Sequence, residues 1–231
     1  GKTLIELEFA RHACENLSQN QCVLLVSPLM VAPQILSEAK RFYGNNLPIE
    51  QVRAAELSEW LINGTGRIGI TNYQALRPET PRGRLGAVIL DESSMLKSQY
   101  GKWGTTCIRL GKGLRWKLAG TGTPAPNDRI EYANHAVFLD QFPTVNSFLA
   151  RFFINRGQTQ NRWELKPHAL HPFYKSLSHW SIFMTNPATY GWNDNCDTIP
   201  PINIHIHDVP LSGEQRDLVQ TTTGTLFGTQ A

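Results

Sequence analysis

The stretch VILDESS, residues 88–94, sets Asp91 and Glu92 side by side at the end of an apolar run. Ionised carboxylates at the edge of an apolar core are costly unless a cation or hydrogen-bond donors meet them. An acid pair so placed suits nucleotide hydrolysis. The first acid holds Mg²⁺, often through water, and the second orients and deprotonates the attacking water. Gly1-Lys2-Thr3 supplies the complementary chemistry, because it matches the close of the phosphate-binding pattern G-x-x-x-x-G-K-[ST]. There Lys2 reaches the β- and γ-phosphates, the Thr3 hydroxyl completes the Mg²⁺ shell, and a helix N-terminus offers backbone N–H groups. Each signal alone has a plain structural reading. The two acids, helped by Ser93 and Ser94, could cap a following helix, and a Thr-Lys helix start is common. Gly-Lys-Thr and Asp-Glu in this order, about ninety residues apart, together point to ATP and Mg²⁺.

Such residues need strands and helices to hold them. CVLLVSP (residues 22–28) and LGAVILDESS (85–94) are apolar throughout, as strands buried on both faces of a parallel sheet are. RIGITNYQAL (67–76) reads as another strand running into a turn, and RWKLAGTGTPAPND (115–128) as a fourth, broken by Gly120, Gly122, Pro124 and Pro126. Between them, Leu4, Ile5, Leu7, Phe9 and Ala10 form an apolar stripe on a first helix reaching about Leu17. Ile35, Ala39 and Phe42 mark a second helix, with Gly44 at its C-cap. Strands alternating with helices predict an α/β domain with a mainly parallel sheet flanked by helices. Ligands of such sheets gather beyond the carboxyl ends of the strands, where Pro28, Asp91, Glu92 and Thr121-Gly122-Thr123 all fall.

The 231 residues are 41% hydrophobic and 18% charged with six Trp, which excludes a disordered chain, and the net charge of +3 permits a nucleic-acid partner without requiring one. Cys14, Cys22, Cys107 and Cys196 show no C-x-x-C pair, so buried reduced thiols are expected rather than disulfides or zinc. No apolar run is long enough to span a membrane, and a cytoplasmic protein is expected. The start at Gly1, without Met, predicts a piece of a longer product.

Five segments taken in order carry a family resemblance. GKT matches the end of motif I, VLLVSPLMVAPQILSEAKRF motif Ia, ITNYQAL motif Ib, LDESSMLK motif II and LAGTGTPAPND motif III of superfamily 2 helicases. The chain resembles the first motor domain of the Swi/Snf-like branch, nearest the phage and bacterial helicases of that type. The resemblance implies a RecA-like P-loop NTPase fold. It also implies that Gly1, Lys2, Thr3 and Asp91 bind ATP and Mg²⁺, that Glu92 is the general base, and that Thr121, Gly122 and Thr123 couple the nucleotide to the nucleic-acid grip. Pro28, Leu29, Thr71, Asn72 and Tyr73 would lie along the phosphodiester track, where backbone contacts carry no sequence information. Duplex DNA is the favoured polymer, with RNA left open, and the resemblance implies an ATP-dependent helicase or translocase, with strand separation left open.

The resemblance also sets the domain plan. Residues 1–140 form the motor domain, residues 141–198 a helical, aromatic-rich appendage, and residues 199–231 a linker into a second RecA-like domain, with VPLSGEQRDLVQ (209–220) as its approach. That second domain supplies the arginine finger, so the chain by itself is expected to be a very poor ATPase. Motif II reads DESS rather than DEAH or DEAD, which keeps both acids. Gly120 stands where an apolar residue is usual and is expected to loosen the strand end.

Smaller signals carry bland readings. His205 and His207 on one strand face, and His168, His171 and His179, lack the spacing of a zinc site. The appendage aromatics suit a core better than base stacking. Arg77, Arg82 and Arg84 form a basic loop that solvates itself or meets phosphates. Two competing functions stay open: an ATP-gated nucleic-acid-binding switch without motor activity, and a phosphate-loop kinase, against which the Asp91-Glu92 order speaks.

Overall fold

The computed structural model describes residues 1–98, 101–157, 163–184 and 187–192. Helix α1 (Lys2–Asn16) leads into strand β1 (Cys22–Ser27), then α2 (Ala32–Tyr43), β2 (Ile49–Gln51), α3 (Leu57–Asn63), β3 (Ile68–Asn72) and β4 (Leu85–Asp91). Helix α4 (Lys102–Gly111), β5 (Trp116–Gly120) and α5 (Tyr132–Phe138) complete the sheet region. The five strands form one parallel sheet in the order β2-β3-β1-β4-β5. The chain runs from the central β1 out to β2, returns to β3, then crosses to β4 and β5 on the other flank.

Both central strands, β1 and β4, are buried at every position, which is why their sequences are apolar without alternation. Their side chains nonetheless divide by face. Val23, Leu25, Ala87 and Ile89 pack with Leu7, Ala10 and Ala13 of α1 and Ala32, Ile35 and Ala39 of α2. Leu24, Val26, Val88 and Leu90 pack on the opposite side with Leu57 and Leu61 of α3, Cys107 and Leu110 of α4, and Phe138 of α5. The alanines let α1 and α2 approach the sheet closely. Each apolar face removed from water contributes at about 25 cal/mol per Å².

Helix α1 corrects one expectation. Its buried face is Glu6, Leu7, Ala10 and Ala13, whereas Leu4 and Ile5 are 36% and 45% exposed. The four- and three-residue spacing of Glu6, Ala10 and Ala13, with Leu7 beside them, sets the buried line, and its first member is an acid. The C-terminal ends of the strands are aligned by register, with Ser27 beside Asn72, Val26 beside Leu90, and Asp91 beside Gly120. The N-terminus of α1 opens at that same edge of the sheet.

Past β5, helix α6 (Val145–Phe152) starts with a reciprocal capping box between Thr144 and Ser147. A short antiparallel pair, β6 (Phe153–Asn155) with β7 (Trp163–Leu165), and helix α7 (Leu170–Leu177) follow. Phe148, Phe152, Phe153 and Phe173 are buried here in a third core of edge-to-face rings, such as Phe152 on Phe173 at 5.5 Å between centroids. These aromatics therefore fill a core rather than a stacking platform.

Residues Gly1–Ile182 make one compact unit. In the second unit, from Phe183 on, the described residues include a short 3₁₀ turn at Pro187–Tyr190, and the Tyr190 hydroxyl donates to the Phe183 carbonyl at 2.7 Å. The expected strand at His205 and His207, and the segment 209–220, lie outside the described residues. No helix among the described residues is long and apolar enough to cross a membrane.

Candidate active site

Lys2, the adjacent pair Asp91 and Glu92, and Thr121, far apart in sequence, meet at the carboxyl ends of β4 and β5. Lys2 Nζ lies 2.8 Å from Asp91 Oδ1 and 3.1 Å from Glu92 Oε2. Asp91 is buried, with its side chain 5% exposed, while the Lys2 side chain keeps 39% of its surface open. Burial works against the Lys2 charge, yet its contacts with Asp91 and Glu92 outweigh this and raise its pKa above the ordinary value.

Glu92 has a left-handed backbone, with φ 49° and ψ 53°, at the junction of β4 and a 3₁₀ turn at Ser93–Leu96. That conformation costs a non-glycine residue about 1–3 kcal/mol and clusters at functional sites. Glu92 Oε1 accepts from Ser94 Oγ and from Thr121 Oγ1, each at 2.8 Å. Thr121 Oγ1 in turn accepts from the Thr123 backbone N–H at 3.0 Å. Burial alone would raise the Glu92 pKa, but the two hydroxyls and Lys2 hold it below its ordinary value, so it is a carboxylate at neutral pH.

Glu6 is the residue that sequence reasoning missed. It is 1% exposed and one turn along α1 from Lys2, with both carboxyl oxygens buried beside Asp91. Burial first, then the nearby Asp91 charge, raise its pKa to about 8 against the pull of Lys2. Gly120 explains how it fits. A Cβ at residue 120 would collide with Glu6 Oε1 and stand 3.4 Å from Lys2 Cδ. Gly120 therefore does not loosen the strand end; it stays in register with Asp91 and leaves room for Glu6 and Lys2. The pairing of an acid on the buried line of α1 with an out-of-place glycine was the available signal.

The remaining expected residues divide. Thr3 is half-buried at the start of α1 and makes none of the hydrogen bonds just described, and Gly1 is exposed at the N-cap. Gly122 is exposed between the two threonines. Pro28 and Leu29 reach the surface, Leu29 being 55% exposed. Asn72 caps the next turn by accepting from the Ala75 N–H at 3.0 Å. Thr71 and Tyr73, expected along a nucleic-acid track, are instead buried at 2% and 0% exposure. The Thr71 hydroxyl donates to the Val52 carbonyl and the Tyr73 hydroxyl to the Asp91 carbonyl. Thr71 lies in β3, which is buried on both faces, and Tyr73 opens the 3₁₀ turn that follows, so both hydroxyls satisfy backbone groups inside the fold instead of meeting a polymer. Arg84 is likewise engaged, donating to the Trp60 and Gly66 carbonyls, while Arg77 and Arg82 are exposed.

Among the described residues, no three or more His, Cys, Asp or Glu side chains are arranged to hold a metal ion by themselves. Mg²⁺ differs from zinc in usually being held by one or two carboxylates together with waters and substrate phosphates. Asp91 Oδ1 is buried, without an aligned hydrogen bond, and has the Lys2 ammonium as its cation. No protein-family model matches the chain, and no curated protein matches it in sequence.

Proposed function

We propose that this chain is the nucleotide-binding half of an ATP-driven motor on nucleic acid, with duplex DNA as its track. The observation that supports this best is the convergence of Lys2 with Asp91 and Glu92 across 90 residues, at the carboxyl edge of a parallel sheet. A structural capping role for the acids needs no lysine from the start of a distant helix. In this reading the α1 N-terminus and Lys2 bind the β- and γ-phosphates. Bound Mg²⁺, held by Asp91 and Thr3, would neutralise charge on those phosphates. Lys2 exchanges carboxylate oxygens for phosphate oxygens, which frees Glu92 to accept a proton from water. Thr121 and Ser94 keep the Glu92 carboxylate aimed while this occurs. A cytoplasmic setting and a second RecA-like domain carrying an arginine finger belong to the same proposal.

The test measures ATP hydrolysis by the chain joined to its second domain, with and without duplex DNA. Turnover stimulated by DNA and lost in Glu92→Gln supports a motor. Turnover indifferent to DNA contradicts it. Nucleotide-dependent DNA binding without turnover favours a gated switch instead.

A further inference from the structure

Glu92 is held from two sides by one continuous stretch of chain. The loop after β5 gives Thr121 to its carboxylate, and α5, beginning eleven residues later, grips the turn that follows it. His135 is 3% exposed and Asn134 2% exposed, although both are polar. His135 Nε2 lies 3.1 Å from Ser93 Oγ, and its Nδ1 lies 3.3 Å from the Glu131 carbonyl. A carbonyl only accepts, so Nδ1 carries the proton and Nε2 accepts from the Ser93 hydroxyl. Burial lowers the His135 pKa and keeps the ring neutral, in agreement with that tautomer. Asn134 Nδ2 donates to the Leu96 carbonyl at 2.7 Å and to the Ser98 carbonyl at 2.6 Å. Helix α4 makes room for it, since a Cβ at Gly104 would stand 2.8 Å from Asn134 Nδ2.

We propose that His135 and Asn134 are positioning residues for Glu92. They fix the 93–98 turn, and the turn fixes the left-handed backbone that aims the Glu92 carboxylate at Thr121 and Ser94. Without those bonds nothing polar from α5 holds Ser93, Leu96 or Ser98, and Glu92 relaxes toward an ordinary backbone conformation. The third core, through α5, thereby sets the geometry of the residue that activates water. This rests on the reading of Glu92 given above.

The test uses His135→Leu, His135→Gln, Asn134→Ala and Gly104→Ala, with two readouts. Hydrogen exchange at the Met95 and Lys97 amides, which donate to Glu92 and Ser94 carbonyls within the turn, needs no turnover. Exchange there rises about tenfold or more in His135→Leu and Asn134→Ala, while amides of β1 and β4 keep their protection. Gly104→Ala, which displaces the Asn134 amide, acts in the same direction. In ATP hydrolysis by the chain joined to the proposed second domain, kcat falls about 10- to 100-fold with KM for ATP within about twofold, and His135→Gln, which retains a donor and an acceptor, recovers a large part of it. Unchanged exchange in the turn overturns the proposal, as does a kcat equal to that of wild type. A loss shared with β1 and β4 also overturns it, because it shows a general packing role. A wild-type protein without ATP turnover overturns the assignment of Glu92 itself, and the exchange data distinguish that failure from a failure of the α5 contacts.

Discussion

Glu6 and Gly120 occupy one another's space: the carboxyl of the first fills the volume that any side chain at the second would need. Gly120→Ala is therefore expected to destabilise the fold by about 1–3 kcal/mol, the usual cost of overpacking. In a Glu6→Ala background the same change costs much less, because the colliding atoms are gone. Chemical denaturation of the two single variants and the double variant measures the coupling. Additive effects would contradict the contact.

Glu6 also makes stability depend on pH. Its folded pKa, about 8, lies above the ordinary value of 4.5, so the folded state holds a proton that the unfolded state has released. This contribution is complete below about 4.5, declines as pH rises to about 8, and then levels off, with a slope of at most about 1.4 kcal/mol per pH unit. Denaturation midpoints in metal-free buffer across that window should fall with pH in the wild type. In Glu6→Gln the decline should flatten.

Tyr73→Phe removes the hydroxyl that donates to the Asp91 carbonyl at 2.8 Å and leaves that buried acceptor without it. The expected loss is about 1–3 kcal/mol of stability. Because Tyr73 is buried, affinity for DNA per folded molecule should not change. A fall in DNA affinity at full folding would restore Tyr73 to the polymer track.

Phe173 anchors the third core, touching Phe148, Phe152 and Phe153 at 6.1, 5.5 and 6.0 Å between ring centroids. Phe173→Ala should cost about 3–5 kcal/mol in denaturant titration. A loss below about 1 kcal/mol would show that these rings contribute little to the fold.

The strands were legible where burial on both faces leaves a continuous apolar run, as in CVLLVS and LGAVILD. The acid pair stood out because it interrupts such a run. Strand β2 was not legible, being three residues long at the sheet edge with two of them exposed. Strands β6 and β7 were hidden for a similar reason, since three residues cannot establish a period of two. On α1, Leu4 and Ile5 drew the apolar stripe toward solvent, and an acid on the buried face contradicts the pattern used to find that face. His135 and Asn134 were illegible because their partners are a serine hydroxyl and three carbonyls, which no residue spacing announces. Thr71 and Tyr73 show the converse: a motif match gave them a surface role, and a strand covered on both faces with the turn after it buried them.

The most direct measurement is Mg²⁺–ATP binding by calorimetry to wild type, Lys2→Ala and Glu92→Gln, with hydrolysis followed on the same three variants joined to the proposed second domain. The site predicts that Lys2→Ala loses ATP affinity by about tenfold or more. It predicts that Glu92→Gln binds as well as wild type while hydrolysis falls at least about 100-fold. Equal affinity in wild type and Lys2→Ala, or no binding by any of the three, would contradict a nucleotide site built from Lys2, Asp91 and Glu92.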